Sequence, residues 1–177
     1  MFDLIAPFYD RLLGSMEDLK PIEDYLKGPV LLDLGGGTGR VSQHIEDSFT
    51  RIILDESMNM LRQAKKKGLY AVRGYAEALP FPDESVDTIL IVDAFHHFRN
   101  HRQVIKECHR VLKRGGTLLI REPDIDKFPI KVVAFLERMA LMRSKFYSYR
   151  DIIDMAKGFG AKVERGNTFF NLILKKI

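Results

Sequence analysis

Short, almost wholly apolar runs alternate in this chain with segments whose apolar residues recur every three to four positions. Residues 30 to 34, VLLDL, form a run stopped by glycines, as expected of a strand buried on both faces of a parallel sheet. Val41 and Ile45, four apart, predict a short helix from Thr38 to about Asp47. Arg51 to Leu54 is a second buried strand, ending at Asp55. Ser57 is placed to cap a helix on which Met58, Leu61 and Ala64 recur until Gly68 stops it. Leu69 to Arg73 predicts a third strand. Pro80 and Pro82 bar a regular element across residues 74 to 85, after which Val86 to Val92 returns to a buried strand that again ends at an acid, Asp93. A helix from about Asn100 to Lys113 buries Val104, Ile105, Cys108, Val111 and Leu112, is closed by Gly115 and Gly116, and leads into a strand from Thr117 to Arg121.

Strand, helix and strand in repeated succession argue for a parallel sheet with helices on both faces, connected by right-handed crossovers. The last third differs. Pro129 to Met142 predicts an amphipathic helix, Ser148 to Phe159 another, and two strands follow, AKVER and TFFNLILKKI, separated by Gly166 and Asn167. Strands joined that tightly are antiparallel, since a parallel return needs a crossover of about a dozen residues. The expected fold class is therefore α/β, doubly wound, with a mostly parallel sheet that acquires one reversed strand near its carboxyl end.

Composition narrows the picture without changing it. A chain of 177 residues suits one domain, and a domain of that size hides roughly 70% of its unfolded surface. The single cysteine, Cys108, cannot form an internal disulfide, and no apolar stretch approaches the roughly 18 residues of a membrane span. The opening MFDLIAPFYD carries Asp3 and Asp10 and no basic region, so it does not read as a secretion signal, and a cytoplasmic protein is expected. The net charge of +4 comes from 28 basic and 24 acidic residues interspersed along the chain. The one tight basic run, Lys65 to Lys67, ends a predicted helix, where cations favour the negative end of the dipole. A nucleic-acid partner is not expected.

The segment VLLDLGGGTGR carries the chemistry. Asp33 sits near the strand end, and Gly35, Gly36, Gly37 and Gly39 follow. A phosphate-binding loop needs Lys and then Ser or Thr after its glycines, whereas Gly39 is followed by Arg40 and Val41. The dinucleotide fingerprint fails too, because its last glycine would fall on Arg40 or Ser42. An acid just before the first glycine repels a pyrophosphate and attracts a positive amino group. The glycines let a ligand approach the main chain, and the helix after them offers N–H groups to a carboxylate. An amino acid meets both demands. Asp55, 20 residues after Gly35, stands where doubly wound folds use an acid to accept hydrogen bonds from ribose hydroxyls. Ribose joined to an amino acid points to S-adenosyl-L-methionine.

The segments VLLDLGGGTG, LDESMNML, GYAEALPFPDESVD, DAFHHF and RVLKRGGTLLIREP, in that order within about residues 1 to 123, resemble the class I methyltransferases, particularly the branch related to ubiquinone and menaquinone C-methyltransferases. The resemblance implies a Rossmann-like seven-stranded sheet with its last strand antiparallel. It implies that Asp33 and the glycines 35, 36, 37 and 39 border the methionine part of the cofactor and that Asp55 holds the ribose. Glu56 and Met60 would lie against the adenine, Ala76 and Glu77 on its far side, and Asp93 would face the methionine group and the acceptor. The opening FDLIAPFYDRL resembles the family's first segment, in which an aromatic such as Tyr9 closes over the cofactor. Within a single domain, residues 1 to 28 are then an N-terminal helical cap, and 123 to 147 an insertion over the acceptor pocket. One departure stands out. Tyr75 precedes Ala76 and Glu77 where relatives commonly carry an Asp that receives the adenine amino group, so a backbone carbonyl or Glu77 would have to accept instead.

The activity implied is in-line transfer of a methyl group from S-adenosyl-L-methionine to a small-molecule acceptor, leaving S-adenosyl-L-homocysteine. Alternatives are a cofactor-binding module without turnover and a methyltransferase for RNA or protein, which the scattered charge does not favour. His96 and His97 follow the fourth strand at the ligand-binding end of such sheets, where one of them can orient or deprotonate a nucleophile; packing of the loop is the alternative. No metal site is expected of His97, His101 and Asp93, because an irregular loop separates them and no cysteine joins them. Cys108 reads as core. The segment Pro129 to Met142 is more apolar than one face requires, suiting a lid, a packing helix, a dimer surface or contact with a lipid-like acceptor. A monomer or homodimer is expected.

Overall fold

The computed structural model describes residues 22, 24–127 and 145–177. Tyr9, nearly all of the N-terminal cap and the helix expected at Pro129 to Met142 lie outside the described residues. The described chain forms β1 (Val30–Leu34), β2 (Thr50–Asp55), α1 (Met58–Lys66), β3 (Tyr70–Arg73), β4 (Val86–Val92), α2 (His101–Val111), β5 (Leu112–Pro123), α3 (Tyr149–Met155), β6 (Phe159–Arg165) and β7 (Phe169–Lys176). The seven strands make one sheet in the order β3-β2-β1-β4-β5-β7-β6. The pairs among β1 to β5 are parallel, and β7 lies antiparallel to both β5 and β6, which is the single reversed strand expected.

Strand alternation sends successive side chains to opposite faces. Leu32, Leu34, Ile89, Ile91, Leu118 and Leu172 point to one face, where α2 buries Val104, Ile105, Cys108 and Val111 and α3 buries Ile152. Leu31, Leu90, Leu119 and Ile173 face the other way, against Ile22, Val41 and Ile45, and α1 packs Leu61 and Ala64 onto Ile53 on that same side. Both faces are covered, which explains why the strands read as unbroken apolar runs. Lys65 and Lys66 fall in the last turn of α1, as the helix dipole favours.

Three boundaries differ from expectation. The helix expected from Thr38 to Asp47 contracts to a 3-10 turn at Ser42–His44: Gly39, at φ +69, is left-handed at its start, and Ile45, at ψ 142, is extended at its end, where Arg51 donates to the Ile45 carbonyl at 2.6 Å. The helix expected to reach Lys113 ends at Val111, and Gly115 and Gly116 lie inside β5, beside a register shift against β4. The helix expected to reach Phe159 ends at Met155, and β6 starts at Phe159, two residues before AKVER.

Candidate functional site

The sheet order places β1 between β2 and β4, so the crossovers leaving β1 and β4 diverge to opposite sides, and a crevice opens at the carboxyl ends of the strands. There the protein has a cleft of about 360 Å³, lined by the last residues of β1, β2, β3 and β4 and the loops that follow them.

Asp33 forms its floor. The side chain is 1% exposed and accepts a 2.7 Å hydrogen bond from Ser42 Oγ. Burial pushes its carboxyl up to about 6, opposed by the Ser42 bond and assisted by the charge of Asp55. Gly35, Gly36 and Gly37 line the cleft beside it. Gly37 has φ +55, and a Cβ there would stand 3.9 Å from both Asp55 Oδ2 and Met60 Sδ, so the space between those residues is open. Gly39 does not line the cleft. Its φ of +69 and a virtual Cβ 2.2 Å from Leu69 Cδ1 show a glycine demanded by packing.

Asp55 ends β2 with both oxygens engaged. Gly37 N donates to Oδ2 at 3.1 Å and Ser57 N to Oδ1 at 2.8 Å, tying the glycine loop to the start of α1. Ser57 rather than Asp55 caps α1, its hydroxyl accepting from Met60 N at 3.2 Å. Asp93, with φ +51, directly follows β4 and pairs at 3.5 Å with Arg40 from across the glycine loop.

Leu54, Met60, Ala76 and Phe98 give the cleft its apolar lining, Phe98 beside Gly35. Charged groups crowd its mouth. Glu56 pairs with Arg99 at 3.3 Å, and the Arg99 guanidinium lies 5.7 Å from the centre of the exposed Tyr75 ring. Glu77 turns one oxygen to the backbone, accepting from Arg99 N at 2.9 Å and Asn100 N at 3.1 Å.

The two neighbouring histidines part company. His97 lines the cleft, and its imidazole is pushed down to about 4, first by burial and then by the positive charge of His96. His96 is buried in the wall, with Nδ1 2.5 Å from Glu122 Oε2 and its ring stacked on Phe146. Glu122 Oε1 accepts from Phe95 N at 2.7 Å. His101 packs between Phe95 and Tyr147 instead of joining His97, and among the described residues no group of three His, Cys, Asp or Glu could hold a metal ion. Cys108 is fully buried, and burial followed by the charge of Glu107 pushes its thiol up.

The cleft thus gathers Asp33, Gly35, Gly36, Gly37, Asp55, Glu56, Met60, Ala76, Glu77, Asp93 and His97 from the sequence reading and leaves out Gly39 and His96. Sequence reasoning missed Glu122 and Arg99. An acid at the end of the strand after the paired histidines was a usable signal for the first. An arginine in a loop offered none for the second.

The family described as "Methyltransferase domain" matches residues 32–120. A demethylmenaquinone methyltransferase of Thermotoga maritima is 32% identical, the match covering 97% of this chain and 91% of that protein. An uncharacterized protein of Methanocaldococcus jannaschii is 30% identical over 99% of this chain and 88% of its own length. Among solved structures, a SAM-dependent methyltransferase from Thermotoga maritima superposes with a TM-score of 0.78 at 20% identity, covering both chains completely, and one from Archaeoglobus fulgidus with 0.80 at 18% identity, covering 96% and 98%. No helix among the described residues is long and apolar enough to cross a membrane. With the strand order, the reversed β7 and the matched domain in agreement, the chain belongs to the methyltransferase-domain family and is an S-adenosyl-L-methionine-dependent methyltransferase of the ubiquinone/menaquinone C-methyltransferase-like branch.

Proposed function

We propose that this enzyme methylates a small-molecule acceptor by in-line displacement, with the cofactor lying in the cleft at the carboxyl ends of β1 to β4. The observation that carries the reading is one buried carboxylate, Asp33, beside a stretch of bare main chain, with a second acid, Asp55, two residues further along the neighbouring strand and lining the same cleft. These residues fit the cofactor. Asp33 offers a negative charge to an ammonium, Gly35 to Gly37 offer close approach to the backbone, and the opening between Asp55 and Met60 admits a ribose. Leu54, Met60 and Ala76 provide apolar walls for a flat base, with Glu56 and Glu77 at its edges. When bound, the cofactor supplies a methyl group on a sulfonium, which passes to the acceptor's nucleophilic atom and leaves a neutral thioether, while the acceptor gives up a proton if it carried one there.

The protein's part is alignment and charge control. Asp93 and the loop after it border the acceptor side, and His97, neutral at physiological pH, can accept a hydrogen bond from the acceptor and so orient it without adding a positive charge. His96, held by Glu122, positions that loop. The names of relatives support a small acceptor: besides the demethylmenaquinone methyltransferase, a 2-methyl-6-phytyl-1,4-hydroquinone methyltransferase of rice is 32% identical over 69% of this chain. Calorimetry with S-adenosyl-L-methionine, followed by labelled-methyl transfer into a metabolite extract, tests the proposal. Label in a small organic product is expected. Binding without transfer would leave a cofactor-binding module, and label in RNA or protein would reassign the acceptor.

A further inference from the structure

Three arms meet at the outer end of the cleft, and none of their partnerships is explained by holding the fold together. Glu56 comes from the turn after β2, Tyr75 from the loop after β3, and Arg99 from the segment before α2. The Glu56 and Arg99 side chains are 61% and 72% exposed, yet they reach each other at 3.3 Å from positions 43 residues apart. An ion pair in that much solvent contributes little to stability and opens readily. Its backbone, in contrast, is fixed: Glu77 accepts from both Arg99 N and Asn100 N, and Asn100 caps α2 through a 3.2 Å bond to Gln103 N. A side chain with a planar, delocalised cation is therefore anchored at its base and loosely held at its tip, lining the same cleft as the apolar Leu54, Met60 and Ala76.

We propose that Arg99 is a cofactor-binding residue whose guanidinium lies over the face of the nucleobase and closes the cleft, with Glu56 and the Tyr75 ring holding it level. This rests on the cofactor reading given above and adds to it how the base is gripped: by its face, through a cation–π contact, in a chain whose Tyr75 supplies no carboxylate at the rim. A guanidinium suits the task better than an ammonium, because it is planar, weakly hydrated and able to keep one edge on Glu56 while its face meets the ring.

Titration calorimetry with two probes tests this, S-adenosyl-L-homocysteine and adenosine, which share the base and differ in the amino-acid tail. Arg99→Ala is expected to weaken both by the same factor, about tenfold, and Arg99→Lys to recover only part of that loss. Arg99 is exposed, so the melting temperature of both variants should match that of the wild type. Asp33→Asn serves as the opposite control, weakening S-adenosyl-L-homocysteine and sparing adenosine. If Arg99→Ala binds both probes within twofold of the wild type, or more tightly, Arg99 does not grip the base although the cofactor reading stands. If the wild type binds neither probe, the cofactor reading falls and this inference with it.

Discussion

The floor and the mouth of the cleft hold charge in opposite ways. At the floor a carboxylate is 1% exposed and rests on one hydroxyl; at the mouth the carboxylate of Glu56 and the guanidinium of Arg99 stand mostly in water. Burial makes the floor charge costly to the empty protein and valuable to a cationic ligand, since attraction between charges strengthens as water is excluded. Exposure makes the mouth charges cheap to keep and easy to part. Under the proposed binding mode, the floor selects the amino-acid tail and the mouth admits the nucleobase.

The largest expected effect breaks the floor. Asp33→Asn keeps the shape and an acceptor for the Ser42 hydroxyl but removes the charge, so affinity for S-adenosyl-L-homocysteine should fall about a hundredfold, the scale of a charged hydrogen bond. The same variant should melt higher than the wild type at neutral pH. A carboxyl pushed up to about 6 from an ordinary value of 3.8 places a strain of roughly 3 kcal/mol on the folded ionised protein, and the amide is free of it. Lower affinity together with a lower melting temperature would mean that Asp33 supports the fold instead of awaiting a ligand.

Burial alone does not mark a ligand-binding acid, and Asp124 sharpens the distinction. It is 0% exposed, yet its Oδ2 accepts from Arg165 Nε and a second guanidinium nitrogen at 2.9 and 2.7 Å, and its Oδ1 accepts from Asp126 N at 3.1 Å. Its charge is met within the protein. Asp124→Ala should lower stability by about 3 kcal/mol in chemical denaturation while leaving S-adenosyl-L-homocysteine affinity within twofold. A tenfold loss of affinity would erase the difference between the two acids.

The glycine loop divides in the same way. Gly39→Ala meets both a left-handed backbone and Leu69 Cδ1 at 2.2 Å, and should cost about 2 to 3 kcal/mol of stability. Gly37→Ala meets only the backbone cost, about 1 kcal/mol, but sends its methyl into the opening beside Asp55 and Met60 and should weaken the ligand several-fold more than Gly39→Ala does. Denaturation midpoints and calorimetry on the two variants separate packing glycines from ligand-facing ones.

That division was not legible in the sequence, where the four glycines look alike. The parallel strands were legible because each is buried on both faces and so reads as an apolar run, and the acids at their tips fixed the cleft because such folds bind ligands at that edge. What escaped detection depends on contacts between distant segments. Arg51 met the Ile45 carbonyl where the turn after Thr38 ends, Glu122 met His96 from the neighbouring strand, and Arg99 met Glu56 across the cleft mouth. No local periodicity encodes such pairings. The paired histidines could be placed at the right edge of the sheet, but only packing against Glu122 and Phe146 turned one inward and left the other facing the cleft.

The gentlest test leaves the sequence untouched and titrates the floor. An ammonium gains its partner only when Asp33 is ionised, so affinity for S-adenosyl-L-homocysteine should be level above about pH 7 and fall toward tenfold per unit below about pH 6. The sign for stability is the reverse. Because the folded value lies above the unfolded one, the empty folded protein binds a proton between about 6 and 3.8 that the unfolded chain does not, and this group adds stability as pH falls through that window. Glu107, whose carboxyl the Arg110 hydrogen bond holds below its ordinary value, acts oppositely, losing its contribution as pH falls. His97, pushed down to about 4, stays neutral in the folded protein between about pH 5 and pH 7, so the affinity slope there belongs to the floor; its unfolded imidazole takes up a proton below its ordinary value of 6.5, so this group lowers stability as pH falls through that interval. Asp33→Asn should bind weakly and without this slope. A wild-type affinity that is flat across the same interval would show that the ammonium meets some other group, and the contrast between floor and mouth would lose its first member.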